Sequence, residues 1–85
     1  MNNPLVVEQS EVWARSMLAE HADSKARLQA MYLAAFSRPA TIDEEQRALA
    51  FVEDQYRQYA PGENLRPWAD LAHVLFNVKE FIFFE

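Results

Sequence analysis

The chain has no cysteine, so disulfides, thiolate-held zinc and covalent haem attachment are all excluded as means of holding or using it. It has a single glycine, which leaves few places where the backbone can turn without strain. Charged residues interrupt every apolar stretch well short of the roughly 18–20 needed to cross a bilayer, so no membrane span is predicted. A basic patch is missing as well, since 13 acidic residues against 8 basic ones give a net charge of −5. That balance argues against a nucleic-acid partner, which would be met by clustered Lys and Arg. The opening Met1-Asn2-Asn3-Pro4 lacks the positive start of a signal peptide; the chain is expected to begin inside a longer protein or to be cytoplasmic. Neither a nucleophile motif nor a phosphate loop is present.

What is present is apolar supply. Half of the residues, 51%, are hydrophobic, which offsets the thin core expected of an 85-residue chain. Low Gly with abundant Ala, Leu, Glu, Gln and Arg favours helix. Asn3 reads as an N-cap with Pro4 at the first helical position. Leu5, Val6, Gln9, Val12, Trp13, Met17 and Leu18 then recur at three- and four-residue spacing, predicting a helix that ends near His21-Ala22. Asp23-Ser24 supplies the next cap, and Leu28, Met31, Tyr32, Ala35 and Phe36 follow the helical template. Pro39 pushes Arg38 out of the α region, so this second helix should stop at Ser37-Arg38.

Thr41-Ile42-Asp43-Glu44 is a capping-box sequence. Ala48, Phe51, Val52, Gln55, Tyr56 and Tyr59 continue its helix, and residues 60–64 read as the longest loop. A fourth helix starts near Pro67, with Trp68, Leu71, Ala72, Leu75 and Phe76 on one face and Asn77 as a candidate end. Phe81-Ile82-Phe83-Phe84 reads as a further helical turn or an extended tail. The expected fold is all-α, a single domain over residues 1–85, a small antiparallel or orthogonal bundle of four helices.

Two segments, residues 37–52 and 68–85, carry a resemblance. Tyr32-Leu33, Arg38-Pro39, Thr41 and Glu44 match a central turn, and Leu75-Phe76-Asn77 with Glu80-Phe81 match a closing motif. Residues 1–9 match an entry helix. In that order and spacing they resemble the C-terminal helical part of large multidomain planctomycete proteins, which often carry a c-type cytochrome domain and two domains of unknown function. Ala40 departs from the pattern, which often has a second proline there. The resemblance implies a C-terminal module of an exported protein, beside redox or carbohydrate-related domains. It implies no catalytic residue.

Each candidate site has a plain structural reading. His21 and His73 fall on different helices with no convergent carboxylates, so ordinary helix-end or surface roles are expected in place of a metal site. Asp43, Glu44 and Glu45 complement a helix N-terminus, which explains them without acid–base chemistry. Arg38 is expected to pair with a carboxylate, Glu80 first and Glu44 second; the alternative is anion binding. Trp13, Tyr32, Phe36, Phe51, Tyr56, Trp68 and Phe76 could stack on a carbohydrate, but their spacing places them in a core.

The functional expectation is a non-catalytic docking module, not an enzyme, with no cofactor, and with neighbouring domains or another chain as partner. Phe81, Phe83 and Phe84 are the expected interface, because three rings in one short segment cannot all point inward; weak self-association through this end is expected. The alternative is an accessory part of an enzyme site, Arg38 or Glu80 contributing to a centre that other domains complete.

Overall fold

A computed structural model describes residues 4–83, with side chains described as far as Val78. The Asn3 cap and Phe84 lie outside the described residues, as do the side chains of Glu80, Phe81 and Phe83. Four helices follow one another: α1 (Pro4–Glu20), α2 (Ser24–Phe36), α3 (Ile42–Tyr56) and α4 (Leu65–Phe83). The all-α four-helix expectation is met.

Local chemistry explains most of the boundaries. Asp23 caps α2 by accepting the Ala26 N–H at 3.0 Å. At the other end Ser37 takes the left-handed conformation, φ 58°, and its N–H donates to the Leu33 carbonyl. Thr41 and Glu44 close the capping box of α3 in both directions, at 2.9 and 3.1 Å. The carboxylate of Glu63 caps α4 by accepting from the Leu65 and Arg66 N–H groups.

Two boundaries differ from expectation. The third helix stops at Tyr56 instead of reaching Tyr59, because Arg57, Gln58 and Tyr59 donate three residues back in a tightened final turn. The fourth does not end at Asn77. Neither Gly nor Pro follows to break it, and Asn in a helix interior costs only a fraction of a kcal/mol, so α4 runs on to Phe83.

The core is built around α4, which touches the other three helices, whereas α1 and α3 do not touch each other. Trp68, Ala69, Leu71, Ala72 and Leu75 of α4 meet Ala14, Leu28, Met31, Ala48 and Val52. The buried face of α1 is not the apolar stripe that its spacing suggests. It centres on Ser10 and Ala14, with Trp13, Met17 and Leu18 packed beside the core, while Gln9 and Val12 are exposed. Small residues let the helix sit close to its neighbours, and the Ser10 hydroxyl donates to the Val6 carbonyl at 2.7 Å, so its burial leaves nothing unanswered. Tyr56, expected in the core, is exposed, though its hydroxyl accepts from Trp68 Nε1 and donates to Asn64.

Arg27 is the unforeseen member of the interior, with only 6% of its surface exposed. Its Nε and Nη2 donate to the His21 carbonyl at 2.9 and 2.6 Å, and Nη2 also reaches the Ala22 carbonyl at 3.1 Å. Those carbonyls follow the last turn of α1 and have no helical partner of their own. The guanidinium carbon lies 4.6 Å from the centre of the Trp68 ring. One side chain of α2 therefore closes α1 and stacks on α4.

Replacing Arg27 with Met should cost about 2–3 kcal/mol, because the half-buried carbonyls at the end of α1 lose their charged donor while the apolar stem survives. Arg27→Lys should cost less, since an ammonium keeps one carbonyl bond but not the fork. Urea unfolding of the three proteins measures this; equal midpoints would show that the junction contributes nothing to stability.

Candidate functional site

The Ser37–Glu44 turn brings four of the motif residues together. Arg38 Nη1 and Nη2 donate to the two oxygens of Glu44 at 2.8 and 2.9 Å, a bidentate fork, and Nη1 also reaches the Pro39 carbonyl at 3.1 Å. The guanidinium sits 5.8 Å from the Phe36 ring centre. Glu44, the second-choice carboxylate of the sequence reading, is thus the observed partner. The side chain of the first choice, Glu80, lies outside the described residues. Asn77 is half-buried on α4.

Gln29 holds the turn in place, which nothing in the linear sequence indicates. Its amide oxygen accepts the Ala40 N–H at 2.8 Å, while its nitrogen donates to the Ala40 carbonyl and to Glu45. A side-chain amide imitates a strand here, pinning one residue of the loop by both of its backbone groups. The first-turn acids of α3 are consequently all engaged: Asp43 with Arg47, Glu44 with Arg38 and Thr41, Glu45 with Gln29.

The electrostatics follow from these bonds. The Arg38 fork, helped by the Thr41 N–H, lowers the Glu44 carboxyl from 4.5 to about 2. Glu44 in return raises the affinity of Arg38 for its proton. Burial raises the Tyr32 phenol, with the Glu44 charge adding to the effect and Arg38 opposing it. At the far end of the bundle, Asp70 accepts from Gln55 at 2.8 Å and from the Tyr59 hydroxyl at 2.6 Å, which raises Tyr59. Every group in these clusters is already answered by another group of the chain, so the arrangement suits holding helices in register more than acid–base work.

No group of three or more His, Cys, Asp or Glu close enough to hold a metal occurs among the described residues. No helix among them is long and apolar enough to cross a membrane. What remains open is mainly apolar, with charged side chains bordering some of the depressions. A depression of about 370 Å³ beside the Arg38–Glu44 fork is lined by Tyr32, Phe36, Phe51, Leu71 and Val74. A second, of about 410 Å³, runs between α1, α2 and α4, and is lined by Gln9, Val12, Trp13, Ser16, Ala34, Ala35, Leu75 and Phe76. In it the rings of Trp13 and Phe76 lie 5.2 Å apart, tilted by 56°.

Compared with family models, with curated proteins and with solved structures, the chain finds no match.

Loss of the cap in Thr41→Ala should destabilise the protein by about 1 kcal/mol, and Thr41→Ser by much less. Equilibrium unfolding of both variants decides this; if both behave like the parent, the cap is not formed in solution.

A pH dependence follows from Glu44. Its folded value lies below its ordinary 4.5, so the ionised fork favours the folded state above that pH. The contribution is lost as pH falls from about 4.5 towards about 2. With half of the Arg38 side chain exposed, solvent screening keeps the effect small. The gap in urea midpoint between the parent and Glu44→Gln should narrow across that window. A gap that does not change with pH would remove the fork as its source.

Proposed function

We propose that this chain is a non-catalytic helical docking module of a larger exported multidomain protein, and that it docks on a neighbouring domain of that protein. The observation that carries this reading is a contrast between polar and apolar groups. Among the described residues no buried side-chain nitrogen or oxygen lacks a partner, and the Arg38 fork is taken up by Glu44. A site awaiting completion by other domains would instead present unanswered donors. The apolar side has no such closure: Val12, in the depression between α1, α2 and α4, keeps 53% of its surface exposed. Single exposed apolar residues are ordinary on small proteins; contiguous apolar depressions mark contact surfaces. The multidomain and exported setting is supported by the resemblance of the Arg38–Glu44 and Leu75–Phe81 segments.

Hydroxyl-radical footprinting of the 85-residue chain and of the longer protein that carries it tests this. Oxidation of Val12, Trp13 and Phe76 should fall several-fold in the longer protein. Identical labelling in both would overturn the docking reading, and protection confined to the Arg38–Glu44 turn would favour the accessory-enzyme alternative.

A further inference from the structure

We infer that the α1–α2 junction is a hinge with two states, bent in this bundle and straight in a dimer that exchanges α1 between two copies of the chain. The inference is independent of the docking reading above. The other two junctions contain residues that cannot continue a helix: Pro39 after the left-handed Ser37, and Pro61-Gly62. Between Pro4 and Pro39 the chain has neither Gly nor Pro. Only His21, Ala22 and Asp23 separate α1 from α2, and all three lie in the ordinary range of helix propensity. The helical ladder already enters this loop from both sides. The His21 N–H donates to the Met17 carbonyl at 3.0 Å and the Arg27 N–H to the Asp23 carbonyl at 2.9 Å, each four residues back.

The bend is therefore held by side chains. Asp23 caps α2 by accepting the Ala26 N–H, and Arg27 occupies the His21 and Ala22 carbonyls while it stacks on Trp68. In a continuous helix the Lys25 and Ala26 N–H groups take those same carbonyls. Asp23 and Arg27 then stand at i and i+4 on one helix, in the order that favours an ion pair. The charged and polar groups that fasten the bend thus have partners in either state.

Packing allows the exchange. Helix α1 rests mainly on α4 and, among the described residues, does not touch α3. The Gln29 clamp, the Arg38–Glu44 fork and the Asp70 cluster all lie outside the part that moves. Straightening lifts Ser10 and Ala14 off α4, and the face they leave is already complementary to the same residues of a second copy. On a helix continuous from Pro4 to Phe36, the buried Ser10, Ala14, Leu28 and Met31 share one stripe about 100° wide.

Two substitutions push the hinge in opposite directions. Asp23→Ala removes the cap and inserts the best helix former. Ser24→Pro suits the bend, because Ser24 is the first residue of α2 and Asp23 before it is already extended, φ −85° and ψ 133°. The same proline interrupts a straight helix. In sedimentation equilibrium Asp23→Ala should dimerise about 25-fold more tightly than the parent, about fivefold for each lost cap. Ser24→Pro should stay monomeric with the parent's helical circular dichroism, and adding it to Asp23→Ala should restore the monomer. Spin labels at Gln9→Cys and Ala34→Cys, in a chain with no cysteine of its own, report the shape. These positions line one depression of the bent state, whereas in a straight helix they stand about 38 Å apart. Labelled Asp23→Ala diluted into unlabelled Asp23→Ala should show the long distance within one chain of the dimer. The inference is overturned if Asp23→Ala associates no more than Ser24→Pro, or if its dimers keep the short distance, which would make them surface contacts. Should Asp23→Ala fail to fold, the parent at high concentration replaces it, and equal association of parent and Ser24→Pro overturns the inference.

Discussion

With only 6% of its surface exposed, Arg27 must have its charge met by the protein, because leaving a charge dry and unanswered costs several kcal/mol. Arg27 is met by two carbonyls and an aromatic face, not by a carboxylate. Each partner belongs to a different part of the chain: the carbonyls to the end of α1, the ring to α4, the cation itself to α2. Moving any of the three would break the hydrogen bonds to the end of α1 or the contact with the ring. Packing alone tolerates small sliding of helices; this junction does not, and it sets where α1 stops and how α2 lies on α4.

The junction matters because the bundle is unevenly tied. Helix α4 touches all three partners, and α1 and α3 do not meet. The loop between α1 and α2 is short, and Arg27 secures its carbonyls. Between α2 and α3 a longer turn is secured differently, by Gln29 on the Ala40 backbone and by the Arg38–Glu44 fork. Between α3 and α4, Tyr56, Asn64 and Trp68 form a hydrogen-bonded relay, and Asp70 gathers Gln55 and Tyr59. Every interhelical connection therefore has a polar fastening beside the apolar core, as suits a chain too small to rely on burial alone.

How much of this the sequence shows depends on the range of each interaction. Elements set within four residues are legible: the Asp23 cap, the Thr41–Glu44 box, the stop at Ser37 before Pro39, the apolar face of α2. The Arg38–Glu44 pair is legible only in part: both residues flank one short turn, yet the sequence reading ranks Glu44 behind Glu80 as the partner of Arg38. Interactions that require two helices to be placed first are not legible. Nothing adjacent to Arg27 announces a stack on Trp68 forty-one positions later, counting 68 − 27. The amide clamp of Gln29 on Ala40 depends in the same way on the turn already being folded. The face of α1 was misjudged for another reason, because hydrophobicity ranks Val12 above Ser10, whereas close packing on α4 selects the smaller side chain and lets its hydroxyl bond within its own helix. The extent of α4 beyond Asn77 shows that a residue able to end a helix does so only where the chain that follows leaves it.

The two tryptophans occupy opposite environments. Trp68 is sealed, its ring face covered by a cation and its N–H given to Tyr56. Trp13 sits half-covered at the trough, beside Phe76. The intrinsic ultraviolet emission of the molecule is accordingly a sum of two populations. One is dry and polarised by a fixed positive charge; the other borders water and is open to whatever approaches. A quencher dissolved in the solvent reaches the second and not the first, so two regions of the bundle carry separate optical signatures without any label being attached.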